Sequence, residues 1–186
     1  MDYFGVDGII RRFEQLDDDL LSLVPFGSRV EMTIVGGSAL MVLGLTVDTR
    51  MTTDIDVMEA ALEMEGLLER YDMNQQVTNF RFRLPENWLM RRQKVPFEGM
   101  VLDVYTPSNE DLAILKLDAY REIDQSDLRD MISNEGIDMK LLKSILDDDV
   151  EMRVNYDVEE EWETFLSRYH EIVDFARSIE GNNETA

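Results

Sequence analysis

Two runs decide how this chain reads: Glu31-Met32-Thr33-Ile34-Val35-Gly36-Gly37-Ser38-Ala39-Leu40, and Thr52-Thr53-Asp54-Ile55-Asp56 downstream of it. Glu31 to Val35 is partly β-branched and predicts a strand. Gly36-Gly37-Ser38 predicts a tight turn, and Ala39 to Leu45 a helix. Thr53 to Met58 alternates, with Ile55 and Val57 on one face and Asp54 and Asp56 on the other, which predicts a second strand. Strand positions two apart share a face, so the two carboxylates converge. Their repulsion is best relieved by a cation, and oxygen-only ligation suits Mg²⁺ carrying nucleotide phosphates. Glycines let backbone approach phosphates closely, Ser38 adds a hydroxyl, and a helix N-terminus favours anions. The plain alternative is a turn with Ser38 as N-cap. The spacings of the Walker loop and of the dinucleotide fingerprint are absent. Asp17 with Asp19 and Asp147 with Asp149 repeat the paired-acid spacing, so context rather than spacing selects Asp54 and Asp56.

Outward from these runs, Ile9, Ile10, Phe13, Leu16, Leu20 and Val24 predict an amphipathic helix over 7–24, stopped by Pro25 and Gly27. A helix is expected over 59–71, an alternating strand over 77–84 and a further strand over 100–105. In that last strand Asp103 sits between Leu102 and Val104, and Asp is depleted in strands. From Ser108 the period turns helical, with segments at 108–119, 126–133, 138–146 and a long final helix through Trp162, Phe165, Tyr169 and Ile172. The Asp147-Asp148-Asp149 run reads as a solvated turn. The expected class is α+β. Residues 1–107 form a core with an N-terminal helix, 108–180 a helical part packed on it, and 181–186 a flexible tail.

Charge narrows the function. The 186 residues carry 40 acids against 18 Lys and Arg, a formal charge of -22, which excludes nonspecific binding to duplex DNA. Most of the excess lies after residue 100. The only concentrated basic segment holds Arg81, Arg83, Arg91, Arg92 and Lys94, with Trp88 among them. It is a candidate for holding an acceptor such as an RNA end, with Trp88 stacking on a base. There is no cysteine, which removes disulfides, thiolate metal sites and cysteine nucleophiles. His170, the single histidine, reads as a surface or cap residue. With no basic leader and no long apolar run, the chain is expected to be soluble and cytoplasmic, without a membrane partner.

The order of glycine-glycine-serine, helix, strand with paired aspartates and later strand with one aspartate resembles the DNA polymerase beta-like nucleotidyltransferase superfamily. Gly36-Gly37-Ser38-Ala39-Leu40 with Arg50, Thr52, Asp54, Ile55 and Asp56 is similar to the AbiEii-type enzymes of abortive-infection and type IV toxin-antitoxin systems. So is the run Asp111-Leu112, Lys116-Leu117, Ala119, Arg121, Asp124, Asp127-Leu128. The resemblance implies a mixed sheet with flanking helices, and a metal, Mg²⁺ or Mn²⁺, on Asp54 and Asp56. Asp103 would complete a two-metal site or take the acceptor's proton. Gly36, Gly37, Ser38, Arg50 and Thr52 would bind the nucleotide, Lys116 would contact phosphate, and Asp124 or Asp127 would assist binding or act as base. The implied activity moves a nucleoside monophosphate from a triphosphate to an RNA end, such as that of tRNA, or to a protein hydroxyl, alongside a cognate toxin or antitoxin. The alternative is a weak or inactive module on the same fold, serving as an antitoxin-like regulator that binds a basic partner through its acidic second half.

Overall fold

Helix α1 (Val6–Leu20) forms where Ile9, Phe13, Leu16 and Leu20 recur at three- and four-residue spacing, and all four are fully buried in the computed structural model. The structure describes residues 2–47, 49–148, 152, 153, 156 and 158–183. The chain divides into two compact units, residues 1–81 with 89–108, and residues 82–88 with 109–186.

The first unit is built on β1 (Val30–Val35), β2 (Ile55–Ala60), β3 (Met73–Asn74), β4 (Gln93–Lys94) and β5 (Leu102–Thr106). They form one mixed sheet in the order β3-β2-β1-β5-β4. Central β1 runs antiparallel to β2 and parallel to β5; β3 is parallel to β2, and β4 antiparallel to β5. Helix α2 (Gly36–Val42) touches β1 and β2, and α1 touches α2 and β5. Met32, Ile34, Ile55, Val57, Leu102 and Val104 fill the core. Buried Asp17 on α1 accepts backbone N–H bonds from Met100, Val101 and Leu102 at 2.7, 2.9 and 2.7 Å. A charged acceptor thus satisfies three donors at the mouth of β5 and ties the helix to the sheet.

The second unit holds α3 (Asn109–Ala119), α4 (Glu122–Ser133), α5 (Met139–Asp148) and α6 (Glu159–Asn183). α3 packs against the other three, burying Leu112, Leu117, Leu128, Leu142 and Phe165. Arg168 of α6 donates to the carbonyls of Leu117 and Asp118 at 2.9 and 2.7 Å, meeting acceptors that the end of α3 would otherwise leave open.

The α+β class and the mixed sheet stand as the sequence predicts, with four local corrections. β2 runs on to Ala60, and two 3-10 turns, Leu62–Met64 and Leu68–Tyr71, replace the helix expected over 59–71. Gly66 at φ +76° and Asp72 at φ +54° break any helical continuation there. The alternating run 77–84 is a 3-10 turn over Thr78–Arg83. Its expected single apolar face is split, for Phe82 is 65% exposed while Leu84 is buried. Asp147 and Asp148 are the last residues of α5 rather than a turn, and Asp149 lies outside the described residues. α6 continues to Asn183, past the expected start of the tail at 181, and residues 184–186 lie outside the described residues. His170 is exposed on α6. No helix among the described residues is long and apolar enough to cross a membrane.

Candidate active site

β1 ends on Val35 in extended conformation, and Gly36 turns the chain at φ +70° into α2. A Cβ on Gly36 would stand 2.5 Å from Oδ2 of Asp56, so only glycine fits both the dihedral and the space. A Cβ on Gly37 would lie 3.1 Å from Nη2 of Arg50, which places that guanidinium against the turn. Buried Ser38 donates its hydroxyl to the Val35 carbonyl at 3.1 Å and braces the turn from inside. Thr52 donates Oγ1 to the Asp54 carbonyl at 2.9 Å, and its backbone pairs with Phe4 as an isolated bridge. Thr52 thereby sets the chain's entry into the paired aspartates.

The sheet register brings those aspartates to the turn, because Asp56 of β2 lies opposite Val35 of β1. On its other side Asp56 lies opposite Asn74 of β3. The Asn74 amide donates to Asp54 Oδ2 at 2.9 Å and to Asp56 Oδ1 at 3.2 Å, while its Oδ1 accepts the Gln76 backbone N–H at 3.1 Å. One nitrogen bridges two like-charged groups, and the Gln76 bond fixes which end of the amide faces them. The second oxygen of Asp56, Oδ2, is the one beside Gly36. Sequence reading missed Asn74. Its signal exists only in the pairing of a two-residue strand.

Asp54 and Asp56 fit a hard divalent cation, for two carboxylates close enough to share one hydrogen-bond donor supply oxygen ligands on the side where Gly36 leaves room. Asp103 does not join them. It lies opposite Glu31 in the β1–β5 register, about 13 Å along β1 from Val35. There it is held by Arg29 at 2.6 Å and Lys94 at 2.5 Å. The hydrogen bond from Arg29 first, then Lys94, outweighs partial burial and brings its carboxyl down to about 2. Among the described residues no group of three or more His, Asp or Glu is placed to hold a metal. The expected third carboxylate is therefore an ion-pair residue farther down the sheet.

In the helical unit, Lys116 is buried and donates to Asp124 and Asp127 at 2.7 Å each. Arg121 adds a second cation on Asp124 at 2.7 Å. Burial alone would raise the Asp124 carboxyl; the bonds from Arg121 and Lys116 overcome it and hold it below the usual range. These residues do come together, as a buried ionic network. The basic segment does not act as one surface. Arg81 faces Glu59 at 3.6 Å, whereas Arg83 faces Asp118 and Glu161 and lies 4.4 Å from the centre of the Tyr156 ring. Trp88 is only 4% exposed and presents no face for a nucleobase.

Residues 11–177 match the model of a family described as nucleotidyltransferase of unknown function (DUF6036). No curated protein and no solved structure matches the chain.

Proposed function

The chain belongs to that nucleotidyltransferase family, and from this premise we propose that it is a metal-dependent enzyme moving a nucleoside monophosphate from a triphosphate to a hydroxyl acceptor. The acceptor is an RNA end or a protein side chain, in a system of the AbiEii toxin-antitoxin kind, with a cognate toxin or antitoxin as partner. The observation that carries the reading is the Asn74-bridged pair Asp54 and Asp56 set against Gly36.

Asp54 and Asp56 would hold Mg²⁺ or Mn²⁺, and that ion would neutralise phosphate charge and orient the triphosphate. The chain's own residues do the rest. Asn74 keeps both carboxylates turned toward one point. The Gly36-Gly37 backbone admits phosphate oxygens closely, and the neighbouring Arg50 guanidinium offers them positive charge. Ser38 and Thr52 hold the turn and the Asp54 backbone in place. Phosphoryl transfer asks chiefly for positioning and charge neutralisation, and these are what this set supplies. Lys116, Asp124 and Asp127 form a buried ionic network within the helical unit, where the Lys116 ammonium donates to both acids. The test is incubation with each labelled triphosphate, Mg²⁺ or Mn²⁺, and candidate acceptors. Transfer should vanish in Asp54→Ala and Asp56→Ala, and wild-type transfer by both variants would end the proposal.

A further inference from the structure

Strand β3 is two residues long and covers β2 only at Ile55 and Asp56. Among the described residues no strand pairs with the outer edge of β2 beyond that point, at Val57 to Ala60. A groove of about 540 Å³ lies there, lined by Met58, Glu59, Ala60 and Ala61 in succession, with Thr33 of β1 and Gln75 beside Asn74. Successive strand residues point to opposite faces, so a groove touching four in a row follows the strand's edge as well as its face. An open edge is a template for another extended chain, with main-chain bonds giving affinity and alternate side chains giving selectivity. Asn74 of β3 occupies the edge at Asp56 itself, so an added chain ends there, with its last side chains beside Met58, about 7 Å along β2 from Asp56.

Charge separates the two classes of acceptor. The rim arginines of this groove are already opposed, Arg92 by Glu31 at 2.6 Å and Arg81 by Glu59 at 3.6 Å. The rim therefore has both signs and no excess of cation, in a chain of formal charge -22. A polyanion meets arginines already paired on this rim and the field of the whole chain, whereas a net-basic polypeptide is drawn in by that field and can answer both signs locally. We infer that the free edge of β2 is the docking site for an extended, net-basic polypeptide offering a Ser, Thr or Tyr hydroxyl as acceptor; this rests on the transfer reading above. In the step, the hydroxyl oxygen forms a bond to the α-phosphorus, the bond from that phosphorus to the bridging oxygen breaks, pyrophosphate leaves with the electron pair, and the hydroxyl proton passes to water.

The experiment uses the full chain with Mn²⁺ and α-phosphate-labelled triphosphates. It offers a panel of short lysine-flanked, β-branched peptides with a central Ser, Thr or Tyr, and total tRNA in parallel. Triphosphate binding is followed by calorimetry. The expected result is label on peptides, lost in Asp56→Ala and lowered at least about tenfold in Glu59→Lys, with a smaller loss in the size-preserving Glu59→Gln. Triphosphate binding with no peptide labelling, or label on tRNA alone, overturns this inference and leaves the transfer reading standing. Peptide labelling unchanged in both Glu59 variants overturns the placement at this edge. Absence of both triphosphate binding and labelling removes the transfer reading, and the docking site with it.

Discussion

Replacing Asn74 by Leu removes the amide donor that bridges Asp54 and Asp56 at 2.9 and 3.2 Å while keeping the side chain's approximate size. A hydrogen bond to a charged group is worth about 1.5–3 kcal/mol, and the longer of these two, at a half-buried position, belongs at the low end. The pair together therefore orients the carboxylates by about 3–4.5 kcal/mol. Loss of a residue that orients metal ligands typically lowers metal affinity 10–100-fold, about 1.4–2.7 kcal/mol, which lies below that figure. Titration of the full chain with Mn²⁺, followed by calorimetry or by the electron paramagnetic resonance of the ion, reads this directly. Asn74→Leu should weaken binding by about one to two orders of magnitude. Asn74→Asp should do the opposite, because a third carboxylate repels its neighbours until a cation arrives; that variant's Tm should rise more steeply with Mn²⁺ than the wild type's. If Asn74→Leu binds Mn²⁺ within about twofold of wild type while Asp54→Ala loses it, Asn74 does not orient the pair and the reasoning fails.

Three further outcomes follow from the same geometry. Gly36→Ala meets both a positive φ and an oxygen 2.5 Å from its new Cβ, and should lose about 1–3 kcal/mol in urea unfolding together with Mn²⁺ binding. Arg29, with Lys94, lowers the folded carboxyl of Asp103 to about 2, so its contribution is present above the ordinary Asp value and disappears as pH falls through the folded one. About 2 kcal/mol of urea stability should be lost over that interval, and Asp103→Asn should flatten this part of the profile. Lys116→Met removes the buried ammonium shared by Asp124 and Asp127 and should cost about 3–5 kcal/mol by chemical denaturation; adding Asp124→Asn and Asp127→Asn should recover part of it.

What the sequence determined by itself is local. A run from β-branched residues through two glycines to an apolar helix is decided by backbone preferences of neighbouring residues, and so β1, Gly36 and α2 were legible, as were the four-residue spacing of α1 and the convergence of Asp54 and Asp56, although β2 begins only at Ile55 and leaves Asp54 just before it. Tertiary structure decided whatever depends on a partner far away in the chain. Alternation at 77–84 promised a strand, but a strand needs a neighbour for its backbone, and these residues turn instead while Met73–Asn74 take the place beside β2. The same parallel pairing creates the Asn74 bridge across 18 residues of sequence from Asp56, and no period or composition announces it. Asp103 reads as a third catalytic acid until the register with Glu31 sets it down the sheet beside Arg29, 74 positions away. A carboxylate's neighbours give it its chemistry. For Asp56 they are Gly36 and Asn74, for Asp103 they are Arg29 and Lys94, and the order and register of the strands make that difference.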